Sequence, residues 1–535
     1  MKIMERKLYN PFRIVIGFLF VLCASLFMHL SSCSGKKTDV EGIQQPVLAG
    51  GDEKRILVSP LAGTWYTNNS GQLEAEIRLY LKEAENRGYG NISGLILPHA
   101  GYMYSGRVAA IGVKQIEGRT FSRVIILGPS HRYYLENNVS VPPFTHYRTP
   151  LGEIPLDTVF MEKLKNSFFV KNIREVHENE HSIQIELPFL QVALGEFLLV
   201  PIVVGQLNSY TAGELGKLIL SLIDPATLVI VSSDFVHYGP NYGYVPFTTD
   251  IGKNIEKLDM EACDLICKKD YAGFFSFIER THATICGRSP IAILLAMSGE
   301  TIDPTLITYD TSGRITGYNN NSVSYVSIAF SGSWDGTGNP ALEQKDEELS
   351  DADKMSLLTL ARKTLVYYFQ HNTYPDPEQL GIRVSPSMET VRGGFVTLQE
   401  HGQLRGCIGD IFSRRPIYEV VMNHAVNAAL NDKRFLPVKK TELDNLEFEI
   451  SVLTPPESIP SYEGIVLGKH GIVLSKDGYS AVFLPQVAPE QGWNLPQTLS
   501  YLAMKAGLPK NAWKTGANFL VFEAEVFSEY DDHLR

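Results

Sequence analysis

Three short apolar runs in the first half of the chain each end on a loop that carries histidine. They read Gly94-Leu-Ile-Leu-Pro-His99, Val124-Ile-Ile-Leu-Gly-Pro-Ser-His131 and Leu228-Val-Ile-Val-Ser-Ser-Asp234-Phe-Val-His237. A short, wholly apolar run is the pattern of a strand buried on both faces of a parallel sheet. Ligands of open α/β sheets bind just beyond the carboxyl ends of such strands. Three of these strands therefore deliver His99, His131, Asp234 and His237 to one edge, where they would assemble a site, most simply for a metal ion.

The chain has 535 residues, too many for one ordinary core; about two to four domains are expected. With 44% hydrophobic and 20% charged residues it is globular rather than disordered. A net charge of -11 and the lack of a lysine or arginine stripe interleaved with aromatics argue against nucleic acid as a partner.

Lys2, Arg6, Lys7 and Arg13 precede an apolar run from Ile14 to Leu30 that ends Leu30-Ser31-Ser32-Cys33. A basic segment, an apolar segment and small residues in that order make a secretory signal. The last four residues resemble the bacterial lipobox, in which the cysteine, here Cys33, is lipidated. The alternative is an uncleaved anchor, because the run is close to the lower limit for spanning. Residues 1–33 thus read as a lipoprotein signal and residues 34–52 as a polar tether. The body is expected to be exported and lipid-anchored to the bacterial envelope, on the periplasmic or outer surface side. Beyond Cys23 and Cys33 only Cys263, Cys267, Cys286 and Cys407 remain, too few for a disulfide scaffold. Cys263 and Cys267 lie four apart in a helical pattern and read as packing residues.

Residues 53–332 read as an α/β sandwich around a mixed or parallel central sheet. Helical pattern occurs at Gln72–Arg87 and Ile251–Lys268, and strands are expected at Leu198–Val204, Thr305–Tyr309 and Ser322–Phe330. Residues 333–353, rich in Gly, Asp, Glu and Asn, read as a linker. Residues 354–535 read as a second domain that mixes helices with short strands. Ser350 offers an N-cap with Asp353 three residues on, before a helix at Met355–Gln370. Further helices are expected at Pro416–Leu430 and Leu495–Ala506, and strands at Gly394–Leu398, Leu446–Val452 and Gly471–Leu474.

Cys286 lies in Thr284-Ile-Cys-Gly-Arg-Ser-Pro290, directly before the apolar helix Ile291–Met297. A cysteine at a helix start beside Arg288 is expected to have a lowered pKa and to offer a thiolate. Histidine with cysteine selects iron, copper or zinc over magnesium or calcium.

These elements, together with Ala62-Gly-Thr-Trp-Tyr66, Tyr102, Ser105-Gly106, Glu180-His-Ser182 and Ser322-Val-Ser-Tyr325, resemble the Memo family. The family is similar in fold to class III extradiol dioxygenases, which hold non-haem iron. The resemblance implies that His99, His131 and Cys286 are metal ligands and that Asp234 and His237 flank the ion, His237 as acid/base group. It implies one non-haem iron, Fe(II), per chain; Cys286 in place of a carboxylate softens the site and makes copper a competitor, with zinc less favoured. A competing pattern, His177-Glu-Asn-Glu-His181, fits the H-E-x-x-H of zinc peptidases. The apolar helical pattern begins only after it, however, and Pro188 would strain a helix carried through both histidines.

Arg392-Gly-Gly-Phe-Val-Thr-Leu398, Leu404-Arg-Gly-Cys-Ile-Gly409, Asp432-Lys-Arg-Phe435 and Gly468-Lys-His-Gly-Ile472 resemble the AMMECR family, which implies an α/β fold with an antiparallel sheet; the family's activity is not established. Arg405-Gly-Cys407 would place a cation beside a thiol on a tight turn, which favours thiolate; a buried cysteine that only packs is the other reading. Both families tend to be encoded with radical S-adenosylmethionine enzymes, which the resemblance makes a partner system; an exported form departs from this, as such partners are cytoplasmic. The leading expectation is an envelope-tethered metal enzyme with oxidative chemistry on a small molecule or peptide. The alternatives are a metal- or peptide-binding module without turnover, and a zinc hydrolase using residues 177–181.

Overall fold

The three apolar runs are strands Ile92–Leu97, Arg123–Pro129 and Thr227–Ser232, buried along their whole length apart from half-buried Arg123. With Leu198–Val204 they form four parallel neighbours, ordered 92–97, 227–232, 123–129, 198–204. Burial on both faces is why none of them alternates polar with apolar residues. Antiparallel strands extend the sheet on either side. Ser322–Ser331 pairs with Ile92–Leu97 and with Asp303–Thr311, and Val139–Ser140 pairs with Leu198–Val204. Nine strands result, a mixed sheet with helices such as Tyr102–Lys114 and Arg288–Met297 packed on its strands. The structure, a computed structural model, describes residues 53–342, 348–413, 415–476 and 479–531. Cys33, the signal and the tether fall outside the described residues.

The expected helix at 72–87 runs Ser70–Glu83, started earlier by Asn69, whose side chain accepts the backbone N–H of Gln72. The segment read as a linker begins as part of the first domain. Trp334 is buried with its indole N–H on the Thr227 carbonyl, and Asn339 donates to the carbonyls of Lys269 and Leu295. The polar composition here hides a segment that Trp334 and Asn339 tie to backbone carbonyls of the first domain.

The second region begins with the capping box of Ser350 and Asp353 and the helix Asp351–His371. It has two antiparallel sheets. In the first the order is 403–410, 394–400, 446–453, 524–528, packed by Asp351–His371 and Ile417–Leu430. The second, ordered 457–459, 518–522, 471–476, 479–483, packs with Leu495–Lys505.

The two regions share apolar packing. Leu453, Val473, Leu520 and Phe522 belong to the same buried cluster as the large sheet. Phe412 stacks on Tyr210 at 5.8 Å and contacts Phe168 and Phe169, while Lys171 donates to Ser475.

Candidate metal centre

His99 lies two residues beyond the end of Ile92–Leu97. Its backbone N–H donates to Asp234 Oδ1 at 2.8 Å, and its Nδ1 is 2.9 Å from Ser232 Oγ. The single Ser232 hydrogen is directed to the Ser182 carbonyl or Glu186, so the serine oxygen accepts from Nδ1–H. The Nε2 lone pair of His99 is thereby left for a ligand.

His131 is fixed by Glu180, which accepts its backbone N–H at 2.6 Å and its ring Nδ1–H at 2.9 Å, and also the Ser182 N–H at 3.0 Å. The loop running on from His131 is clamped. A Cβ on Gly205 would lie 2.1 Å from the Leu135 carbonyl oxygen, so only glycine lets the loop close there. Asn137, at φ 48°, then accepts the Asn208 N–H.

His181 opens the short helix His181–Gln184, its ring 4.4 Å from that of His131 and 5.3 Å from that of His99. One ligand atom from each of the three imidazoles lies within 4.8 Å of the others. Cys286 Sγ sits 3.3 Å from His99 Nε2 and 3.3 Å from the Asp234 carbonyl. His237 Nδ1 faces the carbonyls of Phe235 and Thr284 at 2.9 and 3.1 Å and so carries its hydrogen, leaving Nε2 basic. The five residues singled out from the sequence therefore gather at one sheet edge. His181, Glu180, Ser232 and Glu186 were not assigned roles there. Glu180-His181-Ser182 was visible as a motif, but nothing in its spacing says that Glu180 would orient a histidine 49 positions earlier.

Burial first, and then the neighbouring imidazoles, hold His99 well below the usual histidine range and His181 down to about 4. His237 is lowered by burial as well. Burial would raise Glu180, but hydrogen bonds and charge from His131 outweigh it and hold the carboxyl at about 2. Asp234 is pushed up to about 7 by burial. Burial and then the Asp234 charge raise the Cys286 thiol well above its ordinary value. This reverses the expected lowering: the helix start and Arg288 do not overcome desolvation. Three crowded imidazoles, two of them held through Nδ1 by Ser232 and Glu180, make a donor set that fits a cation.

His177 and His181 do not share a helix. The first helix ends at Glu178, Glu180 is extended at φ −87°, ψ 124°, and Pro188 stands in the first turn of a new helix, Leu187–Leu194. Buried His177 bonds Tyr147 and Ser140, outside the cluster, so the zinc-peptidase arrangement is absent. Around Cys407 the expected turn is instead the strand Gln403–Asp410. Arg405 is occupied by Glu442 and the Leu436 carbonyl; the guanidinium reaching Cys407, through its carbonyl, is Arg434, held by Asp432. The thiol itself accepts from Thr397 at 3.3 Å. A cleft of about 450 Å³ opens beside His181, lined by Trp65, Arg132 and Asn179.

The fold and site define an α/β protein with a mixed sheet whose strand ends carry a histidine cluster that could hold a metal ion. The family described as "Memo-like protein" matches residues 59–329, half of the chain, and "AMMECR1" matches residues 358–527. The chain belongs to the Memo-like family and carries an AMMECR1 domain after it. "Protein MEMO1" of Danio rerio is 34% identical over 284 residues, covering 50% of this chain and 95% of that protein. Its Homo sapiens counterpart is 33% identical with the same coverage. "Protein memo-1 homolog" of Caenorhabditis elegans is 33% identical over 281 residues, covering 50% and 80%. A crystal structure of "Uncharacterized Protein PH0010" from Pyrococcus horikoshii is similar at 36% identity, covering 32% of this chain and 90% of that one, with a TM-score of 0.31.

Proposed function

We propose that the first domain is a metal-dependent oxidative enzyme related to the extradiol dioxygenases, loaded with iron(II) or copper and held to the cell envelope through Cys33. The observation that carries the metal reading is the convergence of three imidazoles within 4.8 Å, with the Cys286 sulfur 3.3 Å from one of them. His99, His131 and His181 or Cys286 would hold the ion. Bound there, it would supply redox chemistry and positions open to dioxygen and substrate.

The protein's own groups do the rest. Glu180 and Ser232 fix two ring orientations, so little reorganisation accompanies binding. Cys286 must lose its proton to ligate, which makes loading pH-dependent. His237, with Nδ1–H anchored and Nε2 basic, takes or returns a substrate proton. Trp65 and Arg132 beside His181 offer a flat apolar wall and a cation to a small aromatic or peptide substrate. No nucleic-acid partner is proposed; a radical S-adenosylmethionine enzyme would be a partner only for a cytoplasmic form.

Elemental analysis of protein recovered from its own envelope tests the metal. His99→Ala and His131→Ala should each lose it and His177→Ala should keep it; full metal in the first two refutes the centre. His237→Gln should abolish dioxygen uptake with metal retained. A wild-type protein that binds metal but consumes no dioxygen with any phenolic or peptide substrate would be a binding module instead. Cys33→Ser should abolish lipid labelling, and labelling that survives would refute the tether.

A further inference from the structure

The two domains meet over a second, half-open cleft of about 630 Å³, remote in sequence from every metal-site residue except on one side. One wall is Glu136 and Asn137, where the His131 loop ends. The other is the helix Ile417–Leu430 and the end of strand Gln403–Asp410 with the loop after it. Val420, Asn423, His424 and Asn427 form one stripe of that helix, as their spacing of three and four requires.

The open hydrogen-bonding groups of this stripe have a definite pattern. Asn423 donates one amide hydrogen to the Glu419 carbonyl, which leaves its oxygen and a second hydrogen. Asn427 accepts from Asn431, which leaves its amide hydrogens. Asn137 accepts from Asn208, which again leaves donors. His424 is 6% exposed, its Nε2 held by Asp410 at 3.0 Å and its buried Nδ1 without a partner among the described residues.

A side-chain amide presents the same donor and acceptor as a peptide group. Asn423 and Asn427 are four residues apart, about 6 Å along a helix. Residues i and i+2 of an extended chain turn their backbone N–H and C=O groups to the same side, about 6.6 Å apart, so residues 1 and 3 of a tripeptide match that spacing. The lining carries both signs of charge: Arg415 on the loop after the strand, Glu136 on the facing wall, and Asp410, whose carboxylate already holds His424. Ile408 and Phe412 supply apolar surface between them. A single amino acid would not fill the volume, whereas a ligand of a few residues would.

We infer that this junction cleft binds a short extended peptide with free ends. Asn423 and Asn427 bond its backbone, Arg415 takes the terminal carboxylate, and Glu136 on the facing wall takes the terminal ammonium. The site needs both domains, and it does not depend on the metal reading.

The test is equilibrium dialysis of the detergent-solubilised full chain against an equimolar pool of Ala-Xaa-Ala tripeptides, read by mass spectrometry. Tripeptides with apolar Xaa should be retained, and the same pool acetylated and amidated should not. Arg415→Gln should weaken retention about tenfold, the loss of one charge-assisted pair, and should leave the affinity of the C-terminally amidated pool unchanged. Arg415 is exposed, so its melting temperature should match wild type. No retained tripeptide, retention of the doubly capped pool, or retention indifferent to Arg415→Gln would each overturn the inference.

Discussion

Glu180→Gln isolates the orientation of one ring from the ligand set itself. The carboxylate is 1% exposed and accepts three N–H groups, two of them from His131. Glutamine keeps the shape but has one oxygen. If that oxygen faces the His131 ring and the Ser182 N–H, the new NH₂ confronts the His131 backbone N–H, and a buried donor is left unsatisfied at about 1–3 kcal/mol. If it faces the other way, the ring loses its acceptor and is free to rotate or change tautomer. Either outcome loosens His131, and removing such an outer partner costs about ten- to a hundredfold in metal affinity, or about 1.4–2.7 kcal/mol. The assay is competition for the ion against a chelator of known strength, wild type beside variant. Glu178→Gln, which removes only an exposed pair with Arg174, is the comparison and should bind like wild type. Glu180→Gln with undiminished affinity would refute the claim that this carboxylate presets the site.

Three further outcomes concern stability. Gly406→Ala should destabilise by about 3 kcal/mol or more in urea unfolding, because its Cβ would lie 2.1 Å from the Ala428 carbonyl oxygen. Phe412→Ala should cost about 2–4 kcal/mol and split a single thermal transition into two, read by calorimetry, since its ring joins Tyr210, Phe168 and Phe169 across the domain boundary. Burial lowers Lys171 to about 8. Between pH 8 and 10.5 the unfolded chain binds the extra proton, so stability should rise with pH across that window, by at most about 3 kcal/mol. That rise should be missing in Lys171→Met, as shown by denaturant midpoints at pH 7.5 and 10.

Much of the sheet was legible because burial on both faces writes itself as unbroken apolar runs; Leu198–Val204 matches its expected bounds. The helix Tyr102–Lys114 was not, since Gly101, Gly106 and Gly112 mask its periodicity while serving close packing; a Cβ on Gly112 would meet Leu97 at 2.5 Å. Convergence at the strand ends followed from topology, which sequence order constrains. The approach of His181 to His99 and His131 did not, because it depends on a break at Asn179–Glu180 that the H-E-x-x-H spacing disguises. The state of Cys286 was misread for a different reason. Its local neighbours favour thiolate, but desolvation is a property of the whole fold and reversed the sign. At Cys407 the adjacent arginine in sequence pairs elsewhere, and one 27 positions away takes its place.

The apolar seam shared by the two domains has a practical meaning for anyone dissecting the protein. Cutting between residues 342 and 348 would strip Leu453, Val473, Leu520 and Phe522 of their neighbours on one fragment and bare the matching patch on the other. Each half would then behave as a sticky remnant instead of a module. Inheritance should treat the pair likewise: a change on either side of that seam is felt by its opposite, and the two must drift together.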